Sequence, residues 1–357
     1  MEHRLGRATL ASAHSKPVSL APRRTVVAAT IALGSVLLAA CGGSSSPASS
    51  QAETVTVGVA GNIFDAPLRV AEARGFFREQ GLKVTFVHVT AASGTPSLES
   101  SSLQFLNSSP TNFLSAVAKG NKEVAIGADG LGNPLGLVVS KKFAAQHALT
   151  SKTSSEKVAQ ALIGSAGGFS SANTRAEAEM FLKNRSVDLD EVSWVSLASP
   201  SEDRAALAGG RIDWFVTSEP LPLQIQAAGD GVVVANPQTA HEWSGSYAGY
   251  GQVVVTRKTY ADQHASTVKK FIAAVEQGSA YLNLHADDPA IVPEIRQAMP
   301  GIPDAVMQAS IEEVDWPIFA DMDRNTWKYT LQFVIELGAL PGSARIESGI
   351  WTNDHLS

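Results

Sequence analysis

The chain of 357 residues contains a single cysteine, Cys41, so it cannot form an internal disulfide. The sequence also has no Gly-x-Ser-x-Gly or His-Glu-x-x-His motif, and its eight histidines show no ligand-like spacing. Gly167-Gly168 lacks the Gly-Lys-Ser/Thr ending of a phosphate-binding loop. These absences disfavour a hydrolase, a metalloenzyme and a nucleotide-hydrolysing protein. We therefore expect no catalytic residue, no metal and no cofactor.

Basic residues are fewer than acidic residues. The chain has 28 basic and 34 acidic residues, a net charge of −6. Five of the basic residues and one acidic residue lie among the first 40, which leaves a net charge of −10 for the remaining 317 residues. A nucleic-acid partner is disfavoured by that charge.

The N-terminal segment has the three parts of a secretory signal peptide. Arg23-Arg24 precedes an apolar run over 25–37, and the small residues before Cys41 resemble a cleavage site. An uncleaved membrane helix is the weaker interpretation, because the run is shorter than the roughly 20 apolar residues that a span needs. We predict a signal peptide over 1–40. Its paired arginines loosely resemble a twin-arginine signal, and the export route stays open.

The sequence Leu38-Ala39-Ala40-Cys41 resembles the lipobox of bacterial lipoproteins. The resemblance implies that the Cys41 thiol is acylated and that Cys41 becomes the first residue of the mature protein. Residues 42–52 are mainly Gly, Ser, Ala and Pro, a composition typical of a flexible tether. We therefore expect a protein anchored by lipid to the extracytoplasmic face of the cell membrane.

After residue 52, strand-like and helix-like segments alternate. Valines recur at every second position of Thr54–Val59, the middle of the chain repeats strand and helix, and the last part is mainly helical. The pattern predicts an α/β fold with mostly parallel sheets, and 317 residues are enough for two lobes. Leu162–Ser165 is predicted as a strand, with Gly167-Gly168 in the turn after it.

Two stretches resemble a known family. Residues 66–77, with Gly75-Phe76-Phe77, continue to Gly81-Leu82-Lys83-Val84, and residues 204–214 precede Ser218-Glu219-Pro220. They are similar to motifs of the ABC-importer solute-binding proteins for nitrate, sulfonates, taurine and thiamine-pyrimidine precursors.

That resemblance implies a type II-like periplasmic-binding-protein fold, with two lobes closing on a ligand. We expect lobe one over 53–139 and 252–357, lobe two over 140–251, and crossings near 137–140 and 252–256. It also implies delivery of the solute to an ABC permease in the membrane, and we expect a monomer.

In open α/β sheets, ligands bind beyond the carboxyl ends of the strands. The loops at those positions supply hydroxyls, amides, carboxylates and aromatic rings. The candidate ligand-binding residues are Asn62, Phe64, Asp65, Ser109, Thr111, Asp129, Gly168, Phe169, Ser170, Ser171, Glu219 and Tyr247. Any Ser, Thr or Asn among them can instead be a helix cap. The carboxylates fit a ligand with an amine or ring N–H better than nitrate.

The predicted function is capture of a small polar organic solute: a sulfonate, taurine or nitrate-like anion, or an aminopyrimidine-type heterocycle. Two alternatives remain. One is an enzyme on the same fold, although the pyrimidine synthases of this kind carry a Cys-rich motif that this chain lacks. The other is a surface lipoprotein that senses a ligand without transporting it.

Overall fold

Ten strands form two sheets in the residues that the computed structural model describes, which are 52–90, 92–345 and 348–356. The first sheet contains β1 (Glu53–Val59), β2 (Leu82–His88), β3 (Phe105–Ser108), β4 (Glu123–Leu131) and β10 (Tyr250–Arg257). The second contains β5 (Leu135–Ser140), β6 (Ala166–Phe169), β7 (Ser193–Ser196), β8 (Trp214–Ser218) and β9 (Gly231–Ala235). The predicted signal peptide, Cys41 and most of the tether lie outside the described residues.

Helices connect the strands. They are α1 (Ala66–Arg74), α2 (Phe76–Glu79), α3 (Gly94–Glu99), α4 (Pro110–Ala118), α5 (Lys141–His147), α6 (Ser155–Ala161), α7 (Ala172–Lys183), α8 (Pro200–Ala208), α9 (Leu221–Ala228), α10 (Gly245–Ala248), α11 (Lys258–Gln263), α12 (Ala265–His285), α13 (Val292–Ile295), α14 (Asp304–Glu312) and α15 (Arg324–Glu336). Short 3-10 turns cover Ile63–Asp65, Leu189–Glu191, His241–Trp243 and Pro289–Ile291. No helix of the described residues is long and apolar enough to cross a membrane.

The two sheets have matching orders. The first is β2-β1-β3-β10-β4, and the second is β7-β6-β8-β5-β9. In the first, β10 runs antiparallel to β3 and β4, while β1 is parallel to β2 and β3. In the second, β5 is antiparallel to both of its neighbours. Each sheet with its helices is one lobe, which confirms the predicted two-lobed α/β fold.

The chain passes between the lobes earlier than predicted. The whole of β5 pairs with β8 and β9, from Leu135 opposite Ser218 to Ser140 opposite Gly231. The first crossing is therefore the segment 132–134 and not 137–140. The second lies between β9 and β10, over 236–249 and not 252–256, because β10 pairs along its length with β4. The first strand of lobe two thus begins at Leu135.

The strand predicted at Leu162–Ser165 is also displaced. The strand is β6, and Gly167 and Gly168 belong to it and not to a turn. A Cβ on Gly167 would lie 2.6 Å from the Trp214 ring, and one on Gly168 would lie 2.5 Å from Ile212 Cδ1. These glycines thus make room for large side chains that pack on the sheet.

Each lobe has its own apolar core. In lobe one, Phe105 and Phe271 stack with ring centroids 3.9 Å apart, and α12 packs on α1 at Gly278. In lobe two, a buried cluster surrounds Trp214 and Trp243. A buried ion pair, Arg185–Glu242 at 2.6 Å, ties the end of α7 to the second crossing segment. The C-terminal helix α15 packs against α4 and β10.

Candidate functional site

A cavity of about 180 Å³ lies where β1, β2 and β3 end and β10 begins. We call it the lobe-one cavity. Among the described residues, its lining contains backbone, apolar and uncharged polar side chains, and no Lys, Arg, Asp or Glu. The lining residues are Ala60, Asn62, Val89, Thr90, Gly94, Thr95, Leu106, Asn107, Ser108, Ser109, Asn112 and Gln252. The position agrees with the rule that ligands bind beyond the carboxyl ends of strands in α/β sheets.

The loop after β1 is held by its own polar side chains. Asn62 Oδ1 accepts a hydrogen bond from the Phe64 backbone N–H at 3.0 Å. Asp65 Oδ2 accepts from the backbone N–H groups of Gly61 at 2.6 Å and Asn62 at 3.2 Å. Asp65 is fully buried, and burial raises the pKa of its carboxyl while these hydrogen bonds oppose the rise. Of the two candidates, Asn62 lines the cavity and Asp65 supports the loop beneath it.

Asn107 connects this loop to the floor of the cavity. Its amide donates to the Phe64 carbonyl at 2.9 Å and to Asp65 Oδ1 at 3.4 Å, while its own Oδ1 has no partner among the described residues. Asp129 is also fully buried, and neither of its carboxyl oxygens has a partner there. Burial and the Asp65 carboxylate raise the pKa of Asp129 well above its usual range. A proton retained on Asp129 removes the cost of a buried charge.

Phe64 belongs to the core of lobe one. Its side chain is 7% exposed and meets the Trp316 ring edge-on, with centroids 6.3 Å apart. Gly130 and Gly251 leave room for the ring, since a Cβ on Gly251 would lie 2.7 Å from Phe64 Cζ. The structure therefore places Phe64 behind the cavity and not in its wall.

The start of α4 forms another wall. Ser109 is its N-cap, with Oγ accepting from the Asn112 backbone N–H at 3.3 Å, and Pro110 follows it. A helix start of this kind presents backbone N–H groups and partial positive charge. Asn112 lines the cavity from the first turn, whereas Thr111 does not.

Gln252 completes the wall from the start of β10. Its side chain is 2% exposed. In the orientation that satisfies both ends of the amide, its oxygen accepts from the Ser108 N–H at 3.3 Å. Ser108 lies 144 positions before Gln252 in the chain, and the two meet because β10 returns between β3 and β4.

In lobe two, the end of β6 leads into the loop that caps α7. Ser171 Oγ accepts from the Thr174 N–H at 3.1 Å, so Ser171 and Thr174 form the capping pair of α7. Phe169 is half-buried against Trp194, and the Arg175 guanidinium carbon lies 5.1 Å from the Phe169 ring centroid. Arg175 also pairs with Glu179 at 2.8 Å. Phe169 and Ser170 are partly exposed, whereas Gly168 is buried within the strand.

Glu219 and Tyr247 lie near the crossings. The Glu219 N–H donates to the Pro134 carbonyl at 2.8 Å, and its Oε2 accepts from the Leu223 N–H at 3.3 Å and the Ser310 hydroxyl at 3.4 Å. Burial raises the pKa of Glu219 to about 8. The Tyr247 hydroxyl donates to Glu336 at 2.8 Å. Neither residue lines the lobe-one cavity, and both connect parts of different lobes.

The structure thus brings together Asn62 and Ser109 of the predicted residues, with Thr90, Asn107, Asn112 and Gln252, which sequence reasoning missed. Three of those four, Thr90, Asn107 and Gln252, lie at or near the end of a strand. That position is the sequence signal that could have identified them. Among the described residues, no group of three or more His, Cys, Asp or Glu side chains could hold a metal ion.

Comparison with solved structures finds the same fold in two binding proteins and in an enzyme. The aliphatic sulphonate-binding protein SsuA from Escherichia coli has 15% identity and a TM-score of 0.67, covering 85% of this chain and 99% of its own. The nitrate-binding protein NrtA from Synechocystis has 14% identity and a TM-score of 0.62, covering 82% and 84%. The desulfurization enzyme DszB has 15% identity and a TM-score of 0.59, covering 81% and 93%. At these identities the likeness shows the fold alone.

No curated protein matches the chain in sequence. A family model described as NMT1/THI5 like matches residues 62–288, which is more than half of the chain. That range includes most of the residues that line the lobe-one cavity. It also includes the parallel strands of both sheets, apart from β1. The chain therefore belongs to the NMT1/THI5-like family, in agreement with the resemblance that its motifs indicated.

Proposed function

We propose that this protein is the extracytoplasmic solute-binding component of an ABC importer, and that it binds a small polar organic molecule in the lobe-one cavity. The observation that carries the proposal is the cavity itself. Uncharged hydrogen-bonding side chains from three strand ends and one helix start converge there. Its volume of about 180 Å³ is below the range of roughly 300–1,000 Å³ typical of complete ligand pockets. Lobe two supplies the rest of the site.

The second wall of the proposed site is the Phe169–Ser171 loop with Arg175. Phe169 and Trp194 offer aromatic faces, and Arg175 brings a cation beside them. Together with the N-terminus of α4, the cation suits an anionic group such as a sulfonate. The amides of Asn112 and Gln252 suit the polar edge of a heterocycle. The solute is thus a sulfonate, a taurine or nitrate-like anion, or an aminopyrimidine-type heterocycle.

Closure of the lobes would bring the two walls together. Two chain crossings, over 132–134 and 236–249, connect the lobes and are the segments that a hinge motion would bend. Glu219 and Ser310 hold the lobes together close to the first crossing. This arrangement supports a binding protein that encloses its solute, and it assigns no catalytic residue. The similarity to DszB is a similarity of fold alone and assigns no activity to this chain.

The family and the N-terminal sequence support the proposal that the protein delivers its solute to a permease. An acylated Cys41 with residues 42–52 as a tether would hold the folded body beside the membrane in which the permease lies. We propose that the protein is a monomer anchored in this way.

A thermal-shift screen tests the proposal. A ligand that binds the folded state raises its melting temperature. The panel is an alkanesulfonate, taurine, nitrate and aminopyrimidines, and at least one should raise the melting temperature. Asn112→Leu removes an amide from the cavity and should abolish that rise, whereas Gln263→Leu, at an exposed position of α11, should keep it. A rise that survives Asn112→Leu, or turnover of a panel compound without any rise, would contradict the proposal.

A further inference from the structure

A second pocket lies in the C-terminal part of lobe one, between α15 and the segment 348–351. Its volume is about 380 Å³, within the range of small-molecule pockets. The residues that line it are Arg324, Trp327, Lys328, Leu331, Ser348, Gly349 and Trp351. All of them follow residue 288, where the family-model match ends. The pocket shares no residue with the lobe-one cavity.

The helical wall of this C-terminal pocket is one face of α15. Arg324, Trp327, Lys328 and Leu331 follow the i, i+3, i+4, i+7 spacing that aligns side chains on a single side of a helix. Trp327 is fully buried between Phe113 and Tyr250, with ring centroids 5.8 and 5.1 Å away. This packing fixes the wall.

The opposite wall is held by β4. The Ala125 N–H donates to the Ile350 carbonyl at 2.9 Å, and the Thr352 N–H donates to the Ala125 carbonyl at 3.0 Å. Trp351, between these two bonds, is therefore fixed at the edge of the first sheet and half-buried. One wall is thus a helix face, and the other is an exposed turn that is fixed to β4 at Trp351.

The lining of the pocket combines apolar and positively charged side chains. Leu331 and Trp351 supply an apolar surface above the buried Trp327, and Arg324 and Lys328 lie exposed at the rim with no ion pair among the described residues. The buried Trp327 Nε1 is a donor without a partner there. Among the described residues, the pocket lining contains no carboxylate. Apolar walls with two cations at the rim match a molecule that has an apolar body and an anionic head.

We propose that this C-terminal pocket binds a small amphipathic anion, with its aromatic or aliphatic body against Leu331 and Trp351 and its carboxylate, sulfonate or phosphate beside Arg324 and Lys328. A polyanion such as nucleic acid does not fit, because two cations neutralise too few phosphates and the chain is acidic overall.

The test is calorimetric titration of the purified protein with naphthalene-2-carboxylate and with its neutral counterpart, naphthalene-2-carboxamide. The carboxylate should bind more tightly than the amide. Arg324→Gln with Lys328→Gln should weaken carboxylate binding by at least about tenfold, because two charge-assisted contacts are lost. Lys269→Gln, which removes an exposed lysine of α12, should leave it unchanged. Thermal unfolding of each variant checks that the fold is kept, with the two single variants replacing the double variant if it unfolds early.

Equal affinity for the carboxylate and the carboxamide, or unchanged affinity in the double variant, would overturn the inference. Loss of carboxylate binding in Asn112→Leu would also overturn it, because the probe would then lie in the lobe-one cavity. A third arm measures sedimentation with phosphatidylglycerol vesicles. Vesicle binding that depends on Arg324 and Lys328 without any binding of the soluble carboxylate would assign the residues to a membrane contact instead. The result is independent of the importer proposal, since the two pockets have separate variants.

Discussion

Glu219→Gln should make the protein more resistant to alkaline destabilisation. Glu219 is 3% exposed, and burial raises its pKa from 4.5 to about 8. A carboxyl whose pKa is higher in the folded state stabilises that state below pH 4.5, and this contribution is lost as the pH rises toward 8. Each pKa unit corresponds to about 1.4 kcal/mol, so the loss amounts to at most ~5 kcal/mol.

The assay is urea unfolding of the wild type and Glu219→Gln at pH 5, 6, 7 and 8. The glutamine keeps an oxygen that can accept from the Leu223 N–H, so the two proteins should have similar free energies of unfolding at pH 5. At pH 8 the variant should be more stable by a few kcal/mol. Glu79→Gln, a change at an exposed glutamate of α2, is the control and should parallel the wild type.

Other buried carboxyls, Asp65 and Asp129 among them, also add to the slope of the wild type. Burial raises the pKa of Glu177 to about 8 and that of Glu123 to about 7. The test therefore uses the difference between wild type and variant. A difference that stays constant from pH 5 to pH 8 would refute the account of Glu219 as a carboxyl that stays protonated through burial.

Three further changes have defined outcomes. Glu242→Gln breaks a buried ion pair and should lower the free energy of unfolding in urea by about 3–5 kcal/mol, whereas Asp304→Asn in an exposed pair should cost less than about 1 kcal/mol; equal losses would be inconsistent with burial as the cause. Gly278→Ala forces a methyl group against the α1 backbone and should cost about 1–3 kcal/mol in the same assay, while Gly342→Ala, which meets open space, should be near neutral. Cys41→Ser should move the protein from the membrane to the soluble fraction on cell fractionation, and an unchanged distribution would refute lipidation.

Local signals in the sequence predicted much of the fold. The motif Ser199-Pro200-Ser201-Glu202 predicts a helix start, and α8 begins there with the Ser199 Oγ accepting from the Glu202 N–H at 3.2 Å. Such caps depend on residues a few positions apart, so they can be read directly.

Features that depend on distant residues were missed. Gly167-Gly168 has the composition of a turn, but the pair lies in a strand because Trp214 and Ile212 pack over it, more than 40 positions later. Asp129 was expected in a loop at the ligand site, yet β4 continues to Leu131 and buries its carboxyl. Gln252 reaches the cavity only because β10 returns between β3 and β4. None of these neighbours is close in the chain.

The most direct test of the central claim is the dissociation constant of the best solute from the thermal-shift panel, measured by calorimetry for the wild type, Asn112→Leu and Gln263→Leu. One solute should bind the wild type and Gln263→Leu with equal affinity and a stoichiometry of one. Its affinity for Asn112→Leu should fall at least about tenfold, since a buried polar group of the ligand loses its partner. Equal affinity for all three proteins would contradict the assignment of the solute site to the lobe-one cavity.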